Sequence, residues 1–308
     1  MRYAVLFPGQ GSQTVGMCAD ARSEYPEICG PQAAELLGWD LDSLITNGPD
    51  ERLTETQHAQ PALYAVSYAL WAEFSAHVAA PPVAAAGHSL GEYTALCAAG
   101  ALDYLDGLGL VARRGEAMAA AAGLENSGMA ALLGADVATA QEVVAARAQM
   151  GGSLSVANMN APGQIVVAGG ADDLTWLEQN ARDLGVRRAI RLKVAGAFHS
   201  PFMAPAAESL ASALESISFG TGSFDVYANV TSQPTTDPAD TLIAQLTGPV
   251  RFAETLEHIS STGVDTFVHV GPGDVTAGPV KRTVTNANVR VVSSIDQART
   301  VARELSVQ

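Results

Sequence analysis

A serine between two glycines, set between an apolar run and a helical segment, constrains this chain more than any other feature. Gly87-His88-Ser89-Leu90-Gly91 fits the G-x-S-x-G pattern of a nucleophile elbow. Such an elbow holds a serine on a tight turn between a buried strand and a helix, with glycines where the turn packs most closely. Val83 to Ala86 is apolar and Leu90 to Ala99 is rich in helix formers. The pattern alone also occurs in ordinary turns, and its context favours a nucleophilic Ser89.

Strand and helix patterns alternate along most of the chain. Tyr3 to Phe7 predicts a buried first strand, and a helix with an apolar stripe is predicted from Pro61 to Phe74. Further strands are predicted at Asp225 to Asn229, Thr266 to Val270 and Val289 to Val292. This alternation predicts a mostly parallel sheet covered by helices, as in α/β-hydrolase-like domains.

The order of predicted strands and helices changes between Gly123 and Ala195. It is β-α-β-β-α-β there, which is the ferredoxin-like arrangement. The predicted elements are Met129 to Gly134, Val137 to Met150, Leu154 to Asn158, Gln164 to Ala168, Asp172 to Leu184 and Val186 to Val194. We therefore predict an α/β fold of two domains. Residues 1–123 and 197–308 form a large α/β-hydrolase-like domain, and residues 124–196 form an inserted small ferredoxin-like α+β domain.

Composition excludes several classes of function. The formal net charge is -15, which argues against nucleic acid and against an anionic membrane surface as partners. Three cysteines without metal-ligand spacing indicate reduced thiols and no metal site. We find no signal peptide and no spanning segment, so a cytoplasmic protein is expected. With no spare apolar helix, a monomer is the simpler expectation.

A serine nucleophile needs a base, and His199 is the best candidate among six histidines. A structural role at a domain junction is the alternative, because Pro201 follows closely. The glycine-rich loop after the first strand lacks the third glycine of a dinucleotide site, and it leaves Gln10 free to approach a ligand. Arg114 borders the apolar stripe of a predicted helix from Tyr104 to Ala121, so it can grip a carboxylate from a partly buried position. A surface ion pair is the commoner fate of such an arginine.

Six motifs occur in order across nearly the whole chain: FPGQGSQ at 7–13, GHSLGE at 87–92, Arg114-Gly115 with Met118, NMNAPGQ at 158–164, AFHS at 197–200 and QLTGPVRF at 245–252. Together they resemble the malonyl-CoA:acyl carrier protein transacylase family. That family includes the free-standing acyltransferases of fatty-acid synthesis and the acyltransferase domains of polyketide synthases. The resemblance implies transfer of malonyl from malonyl-CoA to the phosphopantetheine thiol of acyl carrier protein. It implies no cofactor beyond the coenzyme A thioester, which is a substrate.

The resemblance also implies a role for each site residue. Ser89 is the nucleophile, and His199 is the base, oriented by a backbone carbonyl near Gln245. Gln10 and the backbone N–H of Leu90 form the oxyanion hole. Arg114 binds the malonyl carboxylate, and Phe198 is similar to the residue of malonyl-selective members.

Three alternatives remain at this stage. A polyketide acyltransferase acting in trans would carry the same motifs. A serine hydrolase or thioesterase would share Ser89 and His199, although a hydrolase of neutral esters has no need for Arg114. A silent docking subunit of a synthase would be expected to lack one of these three residues.

The acidic chain carries a few basic groups that suit an acidic carrier protein. They are Arg187, Arg188, Arg191, Lys193, Lys281 and Arg282. We hypothesise that these groups attract the carrier protein and the phosphates of coenzyme A. A solvated strand edge is the alternative interpretation.

Overall fold

The computed structural model describes residues 2–307, which form nine strands and fourteen α-helices. The strands are β1 (Tyr3–Phe7), β2 (Ala84–Gly87), β3 (Ser127–Leu133), β4 (Leu154–Ala161), β5 (Gln164–Gly170), β6 (Arg188–Arg191), β7 (Asp225–Tyr227), β8 (Thr266–Val270) and β9 (Asn288–Val292). The helices are α1 (Ala19–Glu24), α2 (Pro31–Leu37), α3 (Leu41–Asn47), α4 (Asp50–Thr54), α5 (Thr56–His77), α6 (Gly91–Ala98), α7 (Tyr104–Ala122), α8 (Val137–Gln149), α9 (Ala171–Asn180), α10 (Ala204–Leu214), α11 (Pro238–Thr247), α12 (Phe252–Ser261), α13 (Ala277–Thr283) and α14 (Ile295–Val307).

The larger sheet is parallel throughout, in the order β7-β2-β1-β8-β9. Strands β1, β2 and β8 are buried along their whole length, because α5, α6, α7 and α14 cover one face and α12 and α13 cover the other. Phe7 pairs with Gly87 at the carboxyl ends of β1 and β2. The loops that follow these two strands therefore emerge side by side.

The smaller sheet is antiparallel, in the order β4-β5-β3-β6, with α8 and α9 packed on it around a separate apolar core. Its elements follow one another as β-α-β-β-α-β, in agreement with the sequence pattern. The predicted fold class, a parallel α/β sheet with a separate smaller α+β unit, is confirmed. The exact domain limits at residues 124 and 196 stay a prediction.

Two backbone hydrogen bonds join the smaller sheet to the segment between α11 and α12. The Met159 N–H donates to the Val250 carbonyl, and the Val250 N–H donates to the Ala157 carbonyl, each over 2.8 Å. This segment begins three residues after Gln245, so β4 is attached close to the residues described below. Among residues 2–307, no helix combines the length and apolarity needed to cross a membrane.

Several predicted boundaries were wrong. Helix α5 begins at Thr56 rather than Pro61, and Pro61 lies inside it. Tertiary packing stabilises this first turn, because Gly115 of α7 approaches it so closely that a Cβ there would lie 2.8 Å from the Gln57 Cα. Strand β6 is shorter than predicted, since it pairs with β3 only from Arg188 to Arg191. Helix α9 ends at Asn180, four residues before the predicted end.

A buried carboxylate attaches the C-terminal helix to the core. Glu73 of α5 accepts a hydrogen bond of 2.8 Å from the Tyr25 hydroxyl and another from Nε of Arg299 on α14. Burial raises the pKa of Glu73, but the hydrogen bonds from Tyr25 and Arg299 and the charge of Arg299 outweigh it, so the pKa lies below its ordinary value. The ionised form of Glu73 therefore stabilises the fold.

We expect Glu73→Gln to lower the free energy of unfolding by about 2 kcal/mol at pH 7, since hydrogen bonds to charged groups are lost. Because the folded pKa lies below the ordinary 4.5, this stabilisation is present above that pH and is lost as the pH falls further. Urea unfolding at several pH values measures it. Glu24→Gln, which removes the exposed second partner of Arg299, is the control and should cost less than about 1 kcal/mol. Equal losses of unfolding free energy in both variants would contradict the stabilising role of ionised Glu73.

Candidate active site

Ser89 lies on a sharp turn between β2 and α6, at the carboxyl end of the parallel sheet. Its φ of 52° is in the left-handed region, which few residues other than glycine adopt. Both flanking glycines are sterically required. A Cβ on Gly87 would lie 1.8 Å from the Gly91 carbonyl carbon, and one on Gly91 would lie 2.4 Å from the Phe7 oxygen. The strained turn is held by close packing, as in a nucleophile elbow.

His199 contacts the Ser89 side chain directly. Its Nε2 lies 2.9 Å from Oγ of Ser89, and its Nδ1 lies 2.8 Å from the backbone oxygen of Gln245. A carbonyl oxygen can only accept, so Nδ1 carries the proton and Nε2 presents its lone pair to the serine hydroxyl. No acidic side chain is needed to select this tautomer, because the Gln245 carbonyl does so.

The environment of His199 keeps its imidazole neutral. Burial, and after it the positive charge of Arg114, lowers the pKa of His199 to about 3. His199 as a whole is 4% exposed, and its backbone φ of 56° makes it a second left-handed residue in the site. A neutral imidazole near pH 7 is the form that can accept the Ser89 proton.

Arg114 is fully buried directly beneath Ser89. Its Nη1 donates to Oε1 of Gln60 over 2.7 Å, and its Nη2 donates to Oε1 of Gln245 over 2.8 Å and to Oγ of Ser89 over 3.0 Å. Burial lowers the pKa of Arg114, yet a guanidinium keeps its charge near neutral pH. The surface ion pair considered from the sequence is therefore wrong for this residue.

Nε of Arg114 is buried and has no hydrogen-bond partner within residues 2–307. A buried charged donor without an acceptor is costly, and an incoming anion would satisfy it. The two oxygens of a carboxylate suit the paired N–H groups of a guanidinium. The geometry therefore favours a ligand with a carboxylate close to Ser89.

Gln245 connects the elbow to both His199 and Arg114. Its Nε2 donates to the Ser89 carbonyl over 3.0 Å and to Oε2 of Glu92 over 2.7 Å, while its Oε1 accepts from Arg114. Glu92 also accepts from the Asn229 N–H over 2.9 Å, and the Asn229 side chain accepts from the Ser89 N–H over 2.7 Å. One hydrogen-bonded network thus surrounds the serine.

Sequence reasoning missed Gln60, Glu92 and Asn229 as site residues. The signals available were a polar residue ahead of Pro61, an acid in the otherwise apolar helix α6, and an asparagine just after a strand. None of these signals is specific. His88, the neighbour of Ser89 in the chain, makes no hydrogen bond to the serine side chain, because its Nε2 lies 2.7 Å from Oδ1 of Asn160.

The remaining predicted residues lie around the serine. The Leu90 N–H, next to the elbow, has no acceptor in the part of the chain that the structure describes. Gln10 is exposed in the loop after β1, and its amide donates to Oγ1 of Thr56 over 3.4 Å rather than to Ser89. Phe198 is buried beside His199. The roles of these three residues stay predictions. Within residues 2–307 no group of three or more His, Cys, Asp or Glu side chains could hold a metal.

An elbow serine hydrogen-bonded to a neutral histidine, on a parallel α/β sheet, is typical of enzymes that pass acyl groups through a serine ester. A model of the acyl transferase domain family matches residues 5–304. The chain belongs to this family, as the sequence motifs predicted.

Individual relatives are similar over almost the whole chain. The malonyl CoA-acyl carrier protein transacylase of Bacillus subtilis is 41% identical over 286 residues, which cover 91% of this chain and 90% of that protein. A polyketide biosynthesis protein of Burkholderia thailandensis is also 41% identical, over 89% of this chain and 23% of that protein.

Solved structures are also similar to this chain over almost its whole length. The malonyl CoA-acyl carrier protein transacylase from Coxiella burnetii superposes with a TM-score of 0.93 at 33% identity, covering 99% of this chain and 98% of that one. A malonyl-transacylase in complex with its type II PKS acyl-carrier protein gives 0.93 at 36% identity, over 99% of this chain and 100% of that one. The fold and the enzyme class expected from the sequence are therefore confirmed.

The low pKa of His199 predicts an unusual pH profile for modification of Ser89. A neutral organophosphorus reagent reports the base of the free enzyme, and we expect its rate to fall less than about twofold between pH 7.5 and 5.5. A histidine with an ordinary pKa near 6.5 would lose about tenfold over the same range. Mass spectrometry of the adduct measures the rate, with Ser89→Ala as the unreactive control. A tenfold loss in the wild-type protein would contradict the assignment.

Proposed function

We propose that this protein transfers a malonyl group from malonyl-CoA to the phosphopantetheine thiol of an acyl carrier protein through an ester on Ser89. The observation that carries the proposal is the 2.9 Å contact between Nε2 of His199 and Oγ of Ser89, with Nη2 of Arg114 3.0 Å from the same oxygen. A nucleophile, its base and a carboxylate-binding group thus converge on one atom. The relatives from Bacillus subtilis and Coxiella burnetii are named malonyl CoA-acyl carrier protein transacylases, and these names support malonyl-CoA as the substrate.

In the first half-reaction, Oγ of Ser89 attacks the thioester carbonyl of malonyl-CoA while Nε2 of His199 accepts the serine proton. The Leu90 N–H and the Gln10 side chain stabilise the negative oxygen of the tetrahedral intermediate, typically by ~3 kcal/mol per donor. Gln10 moves from its contact with Thr56 to do so. The carbon–sulfur bond then breaks, and the coenzyme A thiolate takes the proton from His199.

The second half-reaction runs the same steps in reverse with a different thiol. The phosphopantetheine thiol gives its proton to His199 Nε2 and attacks the ester carbonyl. The bond to Ser89 Oγ breaks, and the serine oxygen recovers the proton from His199. The Gln245 carbonyl keeps the imidazole in the required tautomer in both halves, because it holds the Nδ1 proton throughout.

Arg114 supplies selectivity for an acyl group that ends in a carboxylate. Only one methylene separates the two carbonyl carbons of malonyl, so its carboxylate stays close to Ser89 when the thioester is attacked. Nη2 of Arg114 lies 3.0 Å from Oγ of Ser89, close to the position that this carboxylate would take. Phe198, which is buried and precedes His199 in the chain, is the residue that the family resemblance associates with malonyl selectivity. A hydrolase of neutral esters would have no use for this buried cation, so the clamp favours malonyl transfer.

The first test is intact-protein mass spectrometry after brief exposure to malonyl-CoA or acetyl-CoA. We expect a malonyl adduct on the wild-type protein and none on Ser89→Ala. Arg114→Ala should reduce malonylation by about 100-fold, since two charge-assisted hydrogen bonds are lost. Acetylation should fall much less.

Arg113→Ala is the matched control, because Arg113 is the exposed neighbour on the same helix. It should acylate like the wild-type protein. Release of free coenzyme A without any adduct or transfer to the carrier protein would favour the hydrolase and contradict the proposal.

We also propose that the basic residues around β6 attract the acidic carrier protein. Arg187, Arg188 and Lys193 are exposed, and within residues 2–307 they make no ion pair with an acidic side chain. Arg191 is different, because Glu178 neutralises it over 3.0 Å. Unpaired surface cations accelerate association with an acidic partner at low salt.

Charge reversal tests this surface. We expect Arg187→Glu with Arg188→Glu to raise the carrier-protein KM about tenfold at low salt, with a smaller effect at 0.5 M salt because charges are screened. The KM for malonyl-CoA should change less. Arg113→Glu with Arg303→Glu, at exposed positions of α7 and α14, makes the same change in net charge and is the control. Equal effects of the two changes would remove this surface from the proposal.

A further inference from the structure

Glu92 is a buried carboxylate that no step of the reaction above uses. It lies in the first turn of α6 and is completely buried. Its Oε2 accepts hydrogen bonds from the Asn229 N–H and from Nε2 of Gln245, whereas its Oε1 has no partner within residues 2–307. A carboxylate in this position is costly unless a cation compensates its charge.

The compensating cation is Arg114, and the two groups are separated by a single amide. Nη2 of Arg114 donates to Oε1 of Gln245, and Nε2 of the same amide donates to Oε2 of Glu92. Glu92 and Arg114 form no direct ion pair among the salt bridges of residues 2–307. Glu92 therefore balances the charge of the guanidinium without occupying any of its N–H groups.

Binding of malonyl changes this charge balance. The empty site contains one buried cation and one buried anion, and a malonyl carboxylate adds a second anion to the same guanidinium. Two carboxylates that share one cation disfavour each other's ionised form. Protonation of the carboxylate that does not contact the arginine removes this repulsion at the lowest cost in free energy.

We propose that Glu92 is a positioning residue that is mostly ionised at pH 7.5 while the site is empty and takes up a proton from solvent when a malonyl carboxylate occupies Arg114. The inference rests on the proposed function, because it needs a carboxylate on Arg114. The proton goes to Oε1, the unpartnered oxygen, so the two hydrogen bonds at Oε2 are kept. Gln245 then stays in the orientation that holds Arg114 and His199.

The electrostatics of the site agree with uptake of a proton by Glu92. Burial raises the pKa of Glu92 to about 7. The hydrogen bonds from Asn229 and Gln245 and the charge of Arg114 lower this pKa, but burial outweighs them. The other titratable groups nearby are Tyr93 on the same helix, whose pKa is raised by burial, and His199, which is neutral above pH 5. Helix α11 and the segment after β7 contribute only neutral amides to the carboxylate. Glu92 is therefore the group that changes its charge near pH 7.

The effect is measured as the malonyl-CoA concentration that gives half-maximal single-turnover acylation, between pH 6 and 8.5. In the wild-type protein we expect this concentration to rise about tenfold across the range, the equivalent of one pKa unit of coupling. Glu92→Gln keeps an oxygen acceptor for both donors but cannot ionise, so its dependence on pH should be less than twofold. Acetyl-CoA, which shares the coenzyme A phosphates, corrects for their titration in each protein.

Glu116→Gln removes an exposed glutamate from α7 and is the matched control, with the pH dependence of the wild-type protein expected. The same tenfold dependence in Glu92→Gln would overturn the inference while leaving the proposed function intact. A loss of maximal rate in Glu92→Gln, without any change in its pH dependence, would assign Glu92 a purely structural role and would also overturn it.

A second measurement avoids changing Glu92. Calorimetry of Ser89→Ala with malonyl-CoA at pH 7.5, in two buffers of different ionisation enthalpy, counts the protons taken up on binding. A shift of one pKa unit from about 7 predicts uptake of about half a proton with malonyl-CoA and none with acetyl-CoA. Equal uptake with both ligands would overturn the inference. If the wild-type protein formed no malonyl adduct at all, the proposed function itself would fail, which is a separate result.

Discussion

A buried guanidinium in contact with Ser89, the proposed nucleophile, is the constraint on which the rest of this site depends. Arg114 is completely removed from solvent, which is unfavourable for a charge unless its donors are occupied. Two glutamine side chains accept from it, the Tyr93 ring lies 5.5 Å from its Cζ, and Glu92 balances its charge through an amide. The same positive charge helps to keep His199 neutral. In the proposed mechanism, the same cation both selects the malonyl carboxylate and keeps the base, His199, in its neutral form.

The parallel sheet makes this arrangement possible. Because β1 and β2 end at the same edge, the Ser89 turn forms beside the glycine-rich loop that carries Gln10. Two left-handed residues, Ser89 and His199, are held where an isolated chain would seldom hold them. The packing around Gly87 and the Gln245 carbonyl hold these conformations. The candidate active site therefore depends on the packed edge of the sheet rather than on any one loop.

The smaller sheet is attached at the same place. Val250 exchanges hydrogen bonds with β4 only five residues after Gln245, and His88 contacts Asn160 from the elbow itself. A displacement of the smaller sheet would reach both the residue that orients His199 and the turn that carries Ser89. This attachment connects the antiparallel sheet physically to the candidate active site.

The sequence by itself determined the local features of this protein. Local patterns of neighbouring residues encode the two glycines around Ser89, the apolar strands and the β-α-β-β-α-β order. The elbow, the parallel sheet and the smaller sheet were therefore predictable. Motifs in family order also pointed to Ser89, His199 and Arg114. Tertiary structure decided the burial of Arg114 and the roles of Gln60, Glu92 and Asn229. Arg114 meets partners 54 and 131 residues away, and no local pattern encodes such contacts. Burial and charge balance arise only when distant segments pack together, and these determine the chemistry of the site.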